Sequence, residues 1–111
     1  MKLTWLGHSG FRIEIGDQIL LLDPWMTGNP MFPDDSSDTA TKGATAILLT
    51  HGHGDHSGDT LTIAKQLSIP VIGIYDLMAH WETTEEIQTV GFNKGGTVQQ
   101  GNVAITMVNA A

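Results

Sequence analysis

The chain has 111 residues, with 12 acidic against 5 basic side chains, a net charge of −7, and 41% apolar and 15% charged residues. That balance describes a single globular domain, 1–111, with a modest core. The acidic surplus argues against broad nucleic-acid binding, which rests on neutralising phosphates. The absence of cysteine removes disulfides, thiolate metal sites and a cysteine nucleophile, leaving His, Asp and Glu as metal ligands.

The first apolar runs are Leu3 to Leu6, Phe11 to Ile15 and Gln18 to Leu22. Each is short and bounded by glycine, as strands are. Gly16-Asp17 between the second and third predicts a tight hairpin. Phe11, Ile13 and Ile15 alternate with Arg12 and Glu14, which predicts one wet face. The continuous run Ile19-Leu20-Leu21-Leu22 predicts a strand buried on both faces. Met1 to Trp5 reads as the start of a strand and not as a signal peptide. No stretch reaches the roughly 18 consecutive apolar residues of a membrane span, so a cytoplasmic location is expected.

Pro24 to Gly43 collects breakers and predicts a long loop of the functional kind. Ala44 to Thr50 is strand-like. Asp59 to Leu67 has helical apolar spacing at Leu61, Ile63, Ala64 and Leu67, with Asp59 or Ser57 as cap. Pro70 to Ile74 is a further strand, and Asp76 to Glu86 a second helix with Asp76 as cap. Ile87 to Phe92, Thr97 to Gln99 and Val103 to Val108 are short strands. The order predicts mixed α/β layers with helices on one face of a mixed sheet. Asn109-Ala110-Ala111 directly after a strand pattern predicts a bare sheet edge.

Three of the five histidines fall in His51-Gly52-His53-Gly54-Asp55-His56. Core packing has no use for such a cluster, whereas imidazole nitrogen with carboxylate oxygen is a ligand set for Zn, Mn, Fe or Ni. In an extended loop His51 and His53 point the same way and can grip one ion, while Asp55 and His56 can reach a second. Gly52, Gly54 and Gly58 are expected to free the backbone, positive φ included. The loop follows a strand, and α/β sites favour the carboxyl ends of strands. Ser9 and Ser57 lack a triad context, Gly95-Gly96 is a turn and not a phosphate loop, and His80 reads as an ordinary helical histidine.

The run His51-Gly-His53-Gly-Asp55-His56-Ser57-Gly58 resembles the signature of the metallo-β-lactamase fold superfamily. Leu6-Gly7-His8-Ser9-Gly10-Phe11, Leu21-Leu22-Asp23-Pro24-Trp25 and Thr27-Gly28-Asn29-Pro30 are similar to one branch of it, the uncharacterised metal-dependent hydrolases related to ascorbate-6-phosphate lactonase. The resemblance covers the whole chain and implies the N-terminal half of an αββα sandwich, since members are about twice this length and add ligands further on. It implies His51 and His53 on a first metal and Asp55 and His56 on a second. It also implies an outer carboxylate at Asp23 that orients a ligand histidine, and a place near the site for His8.

The function implied is a metal-dependent hydrolase. Metal-activated water would attack a phosphoester, lactone or other ester, with Asp55 as ligand first and proton acceptor second. Zinc is the first candidate, with Mn, Fe or Ni behind it, as one or two ions. A small-molecule substrate is the implied partner. The alternative is a catalytically incomplete half-domain that binds metal partially and pairs with a second copy or a complementing C-terminal half.

Overall fold

Asp23, Thr50 and the histidine loop lie on neighbouring strand ends because two strands run parallel in register. The computed structural model describes residues 1–27, 29 and 37–108, with the backbone alone for Ser37, Asp38 and Asp55. The breakers Gly28, Pro30, Pro33 and Asp34-Asp35-Ser36, and the end Asn109-Ala110-Ala111, lie outside the described residues.

The strands β1 (Lys2–Trp5), β2 (Phe11–Ile15), β3 (Gln18–Leu22), β4 (Ala46–Leu48), β5 (Val71–Ile74) and β6 (Thr89–Phe92) form one sheet in chain order. β1, β2 and β3 pair antiparallel through tight turns. Gly16, at φ 60°, occupies the first central position of the β2–β3 hairpin, where a side chain would be strained. From β3 onward the pairing is parallel, with Leu22 beside Leu48 and Ile47 beside Val71. A separate hairpin, β7 (Thr97–Gln100) with β8 (Val103–Thr106), makes a two-stranded sheet.

Helices α1 (Ser37–Thr41), α2 (Gly54–Ser57), α3 (Thr60–Leu67) and α4 (Tyr75–Glu85) complete the described elements. One core joins Leu21, Ile47, Leu49 and Val71 of the sheet region to Ala40, Ile63, Ala64 and Met78 of the helices. The opposite face carries Leu20, Ala46 and Ile72, with Val98, Val103 and Ile105 of the β7–β8 hairpin against them. Helices therefore cover one face of the mixed sheet and the hairpin begins a layer on the other. β3 is buried on both faces, as its unbroken apolar run predicts.

Several local readings need correction. The loop from Pro24 to Gly43 contains α1, which its breaker-rich composition concealed. The wet face expected of β2 is not open at Arg12, whose side chain is only 13% exposed. Its guanidinium donates to the Ala40 and Lys42 carbonyls at 2.9 and 2.8 Å, tying the end of α1 to the sheet. Asp59 does precede α3, but its side chain makes no capping bond. Asp76 lies inside the first turn of α4, with Ile74 at the cap.

Thr60 is fully buried, and among the described residues its hydroxyl has no hydrogen-bond partner. An unpartnered buried hydroxyl costs free energy that a methyl does not. Thr60→Val is expected to raise unfolding stability by about 1 kcal/mol, read as a higher urea midpoint at unchanged slope. A lower midpoint would show that the hydroxyl has a partner in solution.

Candidate metal centre

The parallel register sets Leu22 beside Leu48, so the residues leaving both strand ends emerge together. The Asp23 N–H donates to the Leu48 carbonyl at 2.9 Å, extending the ladder one step. Asp23 then turns sharply at φ 45°. That left-handed conformation is uncommon for a side-chain-bearing residue but tolerated best by Asn and Asp. Its carboxylate is buried, 3% exposed. Oδ1 accepts the Thr50 N–H at 2.8 Å; Oδ2 accepts the Thr50 hydroxyl at 2.6 Å and lies 2.7 Å from His56 Nδ1. An ionised carboxylate only accepts, so His56 donates from Nδ1. Burying a charge is tolerable when it is this fully hydrogen-bonded.

The imidazoles of His53, His51 and His56 stand ring to ring in that order, and the last is the one bonded to Asp23. The His51 and His56 ring centroids are 4.1 Å apart, and those of His51 and His53 4.6 Å. His8, in a left-handed turn at φ 52°, stands edge-on 5.5 Å from His56 and 5.3 Å from Trp25. The backbone of Asp55 falls within α2 between His53 and His56; its side chain lies outside the described residues. His80 is remote in sequence and exposed on α4.

The loop is extended only as far as His53, at φ −63° and ψ 142°, where α2 begins. Ser57 Oγ lies 3.1 and 3.0 Å from the Gly52 and His53 carbonyls and shares its one proton between them. Asp59 closes the far side. Its Oδ2 accepts the Met26 and Thr27 N–H groups, the latter at 2.9 Å, and its Oδ1 accepts the Thr27 hydroxyl at 2.8 Å. The carboxylate expected to cap a helix instead straps the segment after β3 to the end of the histidine loop.

The glycines act differently from expectation. None of Gly52, Gly54 and Gly58 has positive φ. Gly58 is needed for room: a Cβ there would stand 2.7 Å from Trp25 Cδ1 and 2.8 Å from the Gly54 carbonyl. At Gly54 a Cβ would meet nothing within 4 Å.

The donor types fit a transition metal, and a hydrogen bond like that between Asp23 and His56 would fix the ring of a metal-binding histidine. Among the described residues, no group of three or more His, Asp or Glu side chains is arranged to hold an ion. A cavity of about 910 Å³ adjoins His51 and His56, with Leu22, Ile74 and Phe92 in an apolar lining and Lys94 as its cation.

Residues 2–111 match the family model described as a beta-lactamase superfamily domain. The chain belongs to the beta-lactamase superfamily. It is 65% identical over 111 residues to a UPF0173 metal-dependent hydrolase of Paracoccus denitrificans, and 64% identical over 110 residues to one of Dinoroseobacter shibae. These alignments take in 100% and 99% of the chain and 48% of each relative, so it spans about half their length. Among solved structures it is similar to Igni18, a metallo hydrolase of Ignicoccus hospitalis, at a TM-score of 0.78 and 31% identity, over 87% of the chain and 41% of Igni18. BJP-1, a subclass B3 metallo-beta-lactamase of Bradyrhizobium japonicum, shares the fold at a TM-score of 0.67 and 19% identity, over 94% of the chain and 47% of BJP-1.

Sequence reasoning placed Asp23 and His8 beside the loop through the resemblance, and the structure brings both there. It missed Thr50 and the strap role of Asp59. A polar residue closing an apolar strand directly before a histidine was the available signal for Thr50.

Gly58→Ala is expected to cost about 1–3 kcal/mol through overpacking against Trp25, with a shift in tryptophan emission. Gly54→Ala, in open space within α2, is expected to stay within about 0.5 kcal/mol of the parent or gain slightly from helix propensity. Equal melting temperatures for the two variants would contradict the packing argument.

Proposed function

We propose that the chain carries metal-holding machinery of a metal-dependent hydrolase, with His51 and His53 ligating one divalent ion and Asp55 and His56 a second. The observation that carries this reading is the run of ring contacts His53–His51–His56, with a buried carboxylate bonded to the last of them. The names of the relatives point the same way, for proteins about twice as long. Imidazole and carboxylate donors without thiolate suit Zn, Mn, Fe or Ni, and of these we propose zinc first.

A bound divalent ion supplies Lewis acidity toward a substrate oxygen and a hydrolytic nucleophile at neutral pH, by bringing the pKa of water to about 7. The chain's own residues do the rest. Asp23 holds His56 in place through Nδ1. Asp55 serves as ligand and then as proton acceptor. Leu22, Ile74 and Phe92 offer an apolar wall to the body of an ester, and Lys94 offers a cation to an anionic group. The substrate class we propose is a phosphoester, a lactone or another ester. No helix among the described residues is long and apolar enough to cross a membrane, and we place the reaction in the cytoplasm.

A second reading has its own support. The chain spans about half of its relatives, and the described side chains gather no complete ligand set. On that reading the chain holds metal partially and completes the site with a second copy or a complementing half.

Elemental analysis after dialysis, beside native mass, separates the two. The hydrolase reading expects at least one retained equivalent of metal on a monomer, and chelator-sensitive turnover of bis(p-nitrophenyl) phosphate. His51→Ala with His53→Ala should weaken retention beyond the roughly 10–100-fold of an outer-shell loss. Unchanged retention in that double variant would sink the assignment. Metal held only by a dimer or a complemented chain would select the second reading.

A further inference from the structure

Thr50 stands between Asp23 and His51, and a proton count decides what it does there. Its hydroxyl Oγ1 lies 2.6 Å from Asp23 Oδ2 and 2.9 Å from His51 Nδ1. A hydroxyl has one proton to give. Asp23 as a carboxylate can only accept, so that proton goes to Oδ2. The contact to His51 must then run the other way, with Nδ1–H donating to the threonine oxygen. The Nδ1 proton leaves the His51 lone pair on Nε2, because the hydrogen bond at one ring nitrogen sets the role of the other.

His56 reaches the same tautomer by a different route, donating Nδ1–H directly to Asp23 Oδ2. One buried carboxylate therefore orders two histidines, one by contact and one through a hydroxyl. The backbone makes the relay stiff, since the Thr50 N–H is itself held by Asp23 Oδ1 at 2.8 Å. Both hydrogen bonds from Thr50 to Asp23 follow from the register that places Leu22 beside Leu48.

We propose that Thr50 is a positioning residue that carries the hold of Asp23 across to His51, so that a single carboxylate presents Nε2 of one histidine in each half of the metal site. The assignment of the two histidines to separate ions rests on the function proposed above; the tautomers and the relay do not. Substitutions should therefore have unequal reach. Loss of the threonine hydroxyl should affect His51 alone, whereas loss of the carboxylate should affect both His51 and His56.

The test is 15N NMR of the imidazoles in the metal-free chain, which reads the tautomer of each ring. In the wild type both His51 and His56 are expected as Nδ1–H tautomers. Thr50→Val should give His51 a population of the Nε2–H form and leave His56 unchanged. Thr50→Ser, which keeps the hydroxyl, should restore the wild-type pattern, and Asp23→Asn should perturb both rings. A wild-type His51 in the Nε2–H form would overturn the proposal, as would a Val variant with His51 unmoved or an Asn variant that moves His56 alone. Zn²⁺ titration gives a second readout. Thr50→Val should weaken binding by about 10–100-fold, and Thr50→Ser by no more than about twofold. An equal loss in the two variants would also count against the relay. If the wild type binds no zinc yet shows both Nδ1–H tautomers, the metal reading fails while the positioning role of Thr50 is supported.

Discussion

The buried carboxylate of Asp23 is the constraint on which the candidate site depends. A charge that is 3% exposed persists in a protein interior only when donors surround it. Here the donors are the backbone and side chain of Thr50 and the ring of His56. These partners lie 27 and 33 positions away, so they meet Asp23 only through a contact between β3 and β4. The parallel register of Leu22 with Leu48 is that contact. The left-handed turn at Asp23 is sustained because the carboxylate's hydrogen bonds and the ladder bond to Leu48 hold it from both sides.

A second carboxylate does for the rim what Asp23 does for the centre. Asp59 binds the Met26 and Thr27 amides and the Thr27 hydroxyl. Trp25 is thereby held against Gly58, where no Cβ fits, and its ring meets His8 edge-on. The segment after β3 and the histidine loop therefore form one packed unit. A change at Gly58 can reach His8 through Trp25.

Much of this architecture is legible in the amino-acid sequence. Apolar runs such as Phe11 to Ile15 and Gln18 to Leu22 form strands over the residues their patterns mark, because burial on a sheet leaves little choice. The density of His51 to His56 identifies the loop, and the resemblance brings in Asp23. What escapes is the destination of individual polar groups. Arg12 and Asp59 sit where pattern assigns a wet face and a helix cap, yet each bonds to partners 28 and 32 positions away respectively. Propensity describes neighbours in sequence; these side chains answer to neighbours in space. The same holds for Gly58, whose absent Cβ serves a tryptophan and not a backbone angle.

The distribution of groups along the chain bears on how such a site is built. Ligand residues of one loop can gather by local folding, but their ring orientations cannot be set locally, because free imidazoles rotate and exchange tautomers. Orientation here comes from the end of β3, a strand far upstream of the loop. The sheet register therefore governs the candidate site, since a slip of β3 against β4 by one residue would turn Asp23 to the other face. It would release Thr50 and His56 together, and with them the arrangement that makes this loop more than a run of histidines.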